Sequence, residues 1–78
     1  MADAAARIRE LEKRVEREPG SRYFVPLAEE HRKAGRLAEA IKALEAGLLL
    51  HEGYVAARIA LARAYLEAGR IDDSVAAF

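Results

Sequence analysis

The chain has 78 residues, 13 basic and 13 acidic side chains, and no cysteine. A chain this short makes one small domain with a modest core and marginal stability. Balanced charge removes bulk attraction to nucleic acid or anionic lipid, and the lack of cysteine excludes a disulfide framework, a thiolate metal site and thiol redox chemistry.

The first residues turn charged at Arg7, so no apolar signal core follows the start. The longest strongly apolar run, Gly47 to Leu50, is far below the ~20 residues that cross a bilayer. A soluble protein without membrane contact is expected, with the cytoplasm as its compartment.

The first predicted helix covers residues 2–18, where Ala4, Ile8, Leu11 and Val15 recur at four-three-four spacing as one narrow stripe. Its other faces are charged. Glu10 and Arg14 form a favourable pair four residues apart, whereas Arg9–Lys13 and Glu12–Glu16 repel. A solvated helix with one buried seam is expected. Arg7, Arg9, Lys13, Arg14 and Arg17 do not read as a nucleic-acid patch, because glutamates interleave with them.

Pro19-Gly20 stops this helix, and the Ser21 hydroxyl is expected to cap a second one over residues 22–34. Phe24, Leu27, Ala28 and His31 form its inner stripe. Pro26 falls near the first turn, where the missing donor costs least. Gly35 supplies the left-handed residue that closes the helix.

A third helix is predicted over residues 37–51. Leu37, Ala40, Ile41, Leu44, Gly47 and Leu48 share one face, and Leu49 and Leu50 widen it. An apolar arc that wide calls for cover on two sides. Gly47 is expected to let another backbone come close. Gly53 is expected to end this helix.

The fourth predicted helix runs from residue 54 or 55 to 68, with Ile59, Leu61, Ala62, Tyr65 and Leu66 apolar, and Gly69 closes it. A fifth begins at Ile71 and runs to Phe78, with Asp72 and Asp73 in its first turn, the right sign for the helix dipole.

These helices repeat. Leu27-Ala28, His31 and Ala34-Gly35-Arg36-Leu37 return 34 residues later as Leu61-Ala62, Tyr65 and Ala68-Gly69-Arg70-Ile71. A fixed period of this length means stacked helical hairpins.

The segment 21–78 resembles tetratricopeptide repeats, whose hairpin runs aromatic, leucine, small residue, tyrosine, glycine turn, alanine, aromatic, proline. In the first copy these roles fall on Phe24, Leu27, Ala28, His31, Gly35, Ala40, Leu44 and Glu52. In the second they fall on Arg58, Leu61, Ala62, Tyr65, Gly69, Ser74 and Phe78. His31 replaces the tyrosine, Arg58 the aromatic and Glu52 the proline. Sel1-like repeats share the hairpin shape but usually have a longer period. The resemblance implies an all-α fold of antiparallel hairpins stacked as a right-handed solenoid of about five helices. It divides the single domain 1–78 into an N-terminal helix over 1–19, a first repeat over 21–53 and a truncated second repeat over 54–78.

No catalytic constellation is present. His31 and His51 are the two histidines; they lie on different helices, without ligand-spaced carboxylates around them. His31 reads as a ring packed where tyrosine is common, and His51 as a helix C-terminal residue. Neither Ser21 nor Ser74 has a base placed for it. The adjacent acids Glu29-Glu30 and Asp72-Asp73 point apart on a helix and make no dyad. The glycines occur singly, so no loop cradles phosphate. No enzyme activity, metal or cofactor is expected.

What the resemblance implies instead is binding of a protein or peptide in a concave groove lined by the first helix of each hairpin. Carried over by helix face, that groove shows Arg22, Val25, Pro26, Glu29, Arg32 and Lys33 from one hairpin. The next adds Ala56, Ile59, Ala60, Arg63, Leu66 and Glu67. Some family members grip a peptide carboxylate with lysine and asparagine; this chain has no asparagine, and Val25 and Glu29 stand where such grips would lie. Chaperone-type acidic tails are therefore not expected as partners. Two other roles stay open: a structural subunit that self-assembles as a homo-oligomer through exposed ends, with Val75 and Phe78 as assembly surface, or a piece of a larger regulator.

Overall fold

A computed structural model describes residues 4–70. Four helices follow one another: α1 (Ala4–Arg17), α2 (Phe24–Lys33), α3 (Leu37–Leu50) and α4 (Val55–Glu67). Each packs on the next in the chain, and α2 also touches α4. The described residues are thus an all-α helical repeat. The predicted fifth helix, with Asp72, Asp73, Val75 and Phe78, lies outside them.

Two glycines make the same turn twice. Gly35 and Gly69 have φ of 78° and 76°. Around Gly35, the Arg36 amide donates to the His31 carbonyl at 2.8 Å and the Gly35 amide to the Arg32 carbonyl at 3.0 Å. Around Gly69, the Arg70 amide donates to the Tyr65 carbonyl at 2.7 Å and the Gly69 amide to the Leu66 carbonyl at 3.1 Å. This paired pattern satisfies the last carbonyls of the helix and needs a left-handed residue, which glycine adopts without strain.

A second pair of turns joins the hairpins. The Ser21 amide donates to the Glu18 carbonyl at 2.9 Å, and the Tyr54 amide to the His51 carbonyl at 3.0 Å. Gly20 and Gly53 sit at equivalent places in these turns, and neither has a positive φ. The expectation that Gly53 ends α3 is therefore corrected. The helix stops at Leu50, three residues earlier, where His51 leaves the helical region with φ −136° and ψ 60°. The Ser21 cap is corrected as well. No side chain caps α2; the Ser21 hydroxyl only accepts from the Tyr23 amide at 3.5 Å, and the helix starts at Phe24, not Arg22.

The core joins α2, α3 and α4 through Phe24, Ala28, Ala40, Ile41, Leu44, Ala57, Leu61, Ala64 and Tyr65. Ile8 of α1 is buried too and Leu11 and Val15 are half-buried, as the narrow stripe requires, whereas Ala4 at its start is exposed. Gly47 makes room for a ring rather than for a backbone. A Cβ there would stand 2.1–2.4 Å from Phe24 ring carbons, so the close neighbour is the side chain of α2. Phe24 also stacks on His51, with ring centroids 5.8 Å apart, and meets Tyr54 edge-on at 6.0 Å. Burying a side chain of this size contributes roughly 1.5–3 kcal/mol relative to exposure.

Among the described residues the wide apolar arc of α3 is not covered on both sides. Leu49 is 80% exposed and Leu50 60%. On α4 the inner face is Ala57, Leu61, Ala62, Ala64 and Tyr65, while Ile59 and Leu66 face outward. Alanines at 57, 60 and 64 let α4 lie close against α2 and α3.

Candidate functional site

The helices α2 and α4 lie side by side, and one arginine spans them. Arg32 Nε donates to Glu29 Oε2 at 3.1 Å, its Nη2 donates to Glu29 Oε1, and its Nη1 donates to Glu67 Oε1 at 3.4 Å. Planar guanidinium and carboxylate match in the first of these pairs, which holds Arg32 in one orientation. The hydrogen bond from Arg32 holds the Glu29 carboxyl below the usual glutamate range; burial opposes this, and the nearby Lys33 and Arg63 charges reinforce it. Both groups are part-exposed, with side-chain exposure of 30% for Arg32 and 40% for Glu29, so water screens the pairing.

This bridge floors part of the expected groove. Glu29, Arg32, Ala60 and Arg63 border one gap of about 20 Å³ together with Ala28, Ala40, Leu44 and Ala64. Val25 packs partly on the core, and Pro26 and Ala56 are exposed. Ile59 and Leu66 are 45% and 50% exposed and flank Arg63 on α4. Two of the residues assigned to the groove are engaged elsewhere. The Arg22 guanidinium lies 4.7 Å from the centre of the Tyr54 ring. Lys33 Nζ is 3.8 Å from Glu30, whose other partner is Arg7 of α1 at 3.2 Å, so Lys33 belongs to the α1 side.

Candidate chemistry is sparse. His31 is 5% exposed and its Nδ1 finds no hydrogen-bond partner among the described residues. Its repeat equivalent, Tyr65, donates from its hydroxyl to Glu45 at 2.5 Å. Among the described residues no three of His, Asp and Glu come together as a metal-ligand set, and no helix is long and apolar enough to cross a membrane.

A family description for the tetratricopeptide repeat matches residues 31–78, more than half of the chain. The chain belongs to the tetratricopeptide repeat family. No curated protein and no solved structure matches it. Tetratricopeptide repeats are generally a non-enzymatic interaction fold that binds proteins or peptides, and the glycine turns at Gly35 and Gly69 both lie within the matched residues.

One feature of this tetratricopeptide chain escaped the sequence reading. Among the described residues, Glu45, Leu48, Leu49, Glu52, Arg58 and Leu61 line a cleft of about 450 Å³ between α3 and α4. Arg58 stood out only as a departure from the repeat pattern, and Glu52 likewise. The usable signal was that both departures are charged, Arg58 at the equivalent of the buried Phe24 and Glu52 at the equivalent of Pro19 in the turn after α1.

Proposed function

We propose that this chain is a protein–protein interaction module, an adaptor or scaffold that takes a peptide or partner helix in the concave groove between α2 and α4. Its hairpins would belong to a right-handed stack. The observation that carries the reading is the Glu29–Arg32–Glu67 bridge beside exposed Ile59 and Leu66. The bridge pairs Arg32 with two carboxylates, leaving one net negative charge, and orients these side chains before any partner arrives, which lowers the entropy cost of binding. Ile59 and Leu66 offer apolar anchors, and Arg63 between them offers a charge for orientation.

The test is selection of a random peptide library on the purified chain. Affinities of the selected peptides are then measured for Ile59→Glu, Leu66→Glu and Arg63→Glu. Each substitution is at an exposed position and should leave helicity intact. The reading expects at least a tenfold loss for Ile59→Glu or Leu66→Glu, which is about 1.4 kcal/mol. Peptides that bind all three variants as well as the parent would overturn it.

A further inference from the structure

The outer face of α1 carries four charges without a partner among the described residues. Arg9, Glu12, Lys13 and Glu16 are all exposed, and none has an ion-pair partner within 4.0 Å. Elsewhere on the helix Arg7 reaches Glu30 of α2 and Arg14 pairs with Glu10. The four share an arc of about 100° at 3.6 residues per turn. Together with Val15 and Leu27 they border an open cleft of about 470 Å³. Within the helix this face opposes itself, because Arg9–Lys13 and Glu12–Glu16 are like charges four residues apart. The turns at Glu18–Ser21 and His51–Tyr54 are equivalent, 33 residues apart, which matches the four positions to Lys42, Glu45, Ala46 and Leu49 of α3. The helix α3 has α2 before it and α4 after it, and these four residues are exposed as well. The face is therefore the outside of the stack, which neighbouring helices on either side leave uncovered.

We propose that this face docks a second copy of the chain, α1 against α1, antiparallel about a two-fold axis level with Glu12 and Lys13. A two-fold interface must be complementary to itself. The charges along this face run basic, acidic, basic, acidic, and reversed end to end they run acidic, basic, acidic, basic. Arg9 then faces Glu16 of the second copy, Glu12 faces Lys13 of the second copy, and each contact occurs twice. A parallel pairing would set like against like at every position. An antiparallel pairing slipped by one turn would keep only two of the four contacts among these residues. Glu12 and Glu16 stand on the Val15 side of the face. Reaching them lays the alkyl stems of the second copy's Arg9 and Lys13 over the cleft that Val15 and Leu27 border. Exposed ion pairs are individually weak, so the dimer is weak and salt-sensitive. None of the four residues belongs to the α2–α4 groove.

The test compares two double variants that keep net charge and composition. Arg9→Glu with Glu16→Arg exchanges two charges that face each other across the axis, so every contact stays attractive. Arg9→Glu with Glu12→Arg sets glutamate against Glu16 and arginine against Lys13, so every contact turns repulsive. Both variants replace the two repelling pairs within α1 by attractive ones, so the helix itself is matched. Sedimentation equilibrium over about 10 μM to 1 mM protein in about 20 mM salt measures self-association, and circular dichroism checks the fold. A monomer–dimer equilibrium is expected for the parent and for Arg9→Glu/Glu16→Arg. It should weaken about tenfold or more in Arg9→Glu/Glu12→Arg, and likewise for the parent in about 0.5 M salt. A parent that stays monomeric throughout overturns the proposal. So do double variants that dimerise alike or fail alike, and so does a dimer that salt leaves unchanged. Neither double variant touches the α2–α4 groove, so peptide binding there is read separately and the two readings fail separately.

Discussion

Phe24 on α2 and Arg58 on α4 hold equivalent repeat positions and meet different surroundings. Between α2 and α3, the Phe24 ring enters the gap left by Gly47 and is 2% exposed. On α4, Arg58 holds the position of that ring and is exposed among the described residues. The same repeat position therefore makes a core contact on α2 and, among the described residues, an exposed charged side chain on α4. Stability should therefore depend on Phe24 far more than on Arg58.

Paired truncation breaks or sharpens this contrast most strongly. Phe24→Ala removes a buried ring and should cost about 3–5 kcal/mol, enough to abolish the cooperative melt of so small a chain. Arg58→Ala, at the equivalent exposed position, should stay within about 0.5 kcal/mol. Urea unfolding followed by circular dichroism measures both. Comparable losses at the two positions would erase the distinction.

Next in size is Gly47→Ala. Helix propensity alone favours alanine by about 1 kcal/mol. Its Cβ would nevertheless meet the Phe24 ring at 2.1–2.4 Å, and overpacking of this kind typically costs about 1–3 kcal/mol. A net loss is expected, and Gly47→Ala combined with Phe24→Leu should lose less than the two single changes summed, as coupled neighbours do. Additive losses would mean that ring and glycine do not touch.

A third contrast lies between the repeat equivalents His31 and Tyr65. Tyr65 finds Glu45, whereas the buried His31 Nδ1 finds no partner among the described residues. Tyr65→Phe should therefore destabilise by about 1 kcal/mol, the usual net worth of a hydrogen bond. His31→Phe should instead be neutral or raise the melting temperature, because it removes an unsatisfied buried polar atom. Thermal melts of both variants check the opposite signs.

The smallest expected effect is electrostatic. Glu29 has a lowered pKa because Arg32 hydrogen-bonds its ionised form. Folding is favoured by this pair above the unfolded glutamate value of about 4.3, and the contribution is lost as pH falls through the lower folded value. With the Glu29 side chain 40% exposed, it amounts to no more than about 0.5 kcal/mol. Glu29→Gln should remove that much of the stability lost on acidification between roughly pH 5 and 3, read from melts at each pH.

The hairpins were legible because their joints are chemically demanding. Only a left-handed residue completes the turns at Gly35 and Gly69, and the leucine, small residue and glycine recur at one period. Gly53 and Ser21 misled because a glycine or serine in a connecting loop carries a helix-end signal without making the cap. The inner face of α4 was obscured for another reason. Apolar residues surround that helix, so period alone does not choose between Ala57 and Ala64, which are buried, and Ile59 and Leu66, which are exposed. The Arg32 bridge depends on which rows of α2 and α4 meet. The setting of Arg58 depends on which side chains of α3 and α4 meet around it. Both are properties of packing, not of local pattern.

A single proton NMR spectrum tests the central packing most directly. If successive helices share the seam described here, the Gly47 α-protons show nuclear Overhauser contacts to the Phe24 ring and a strong upfield ring-current shift, while those of Gly20 and Gly53, with nothing within 4 Å of a built Cβ, keep ordinary shifts. Unshifted Gly47 α-protons with no contact to Phe24 would contradict the account.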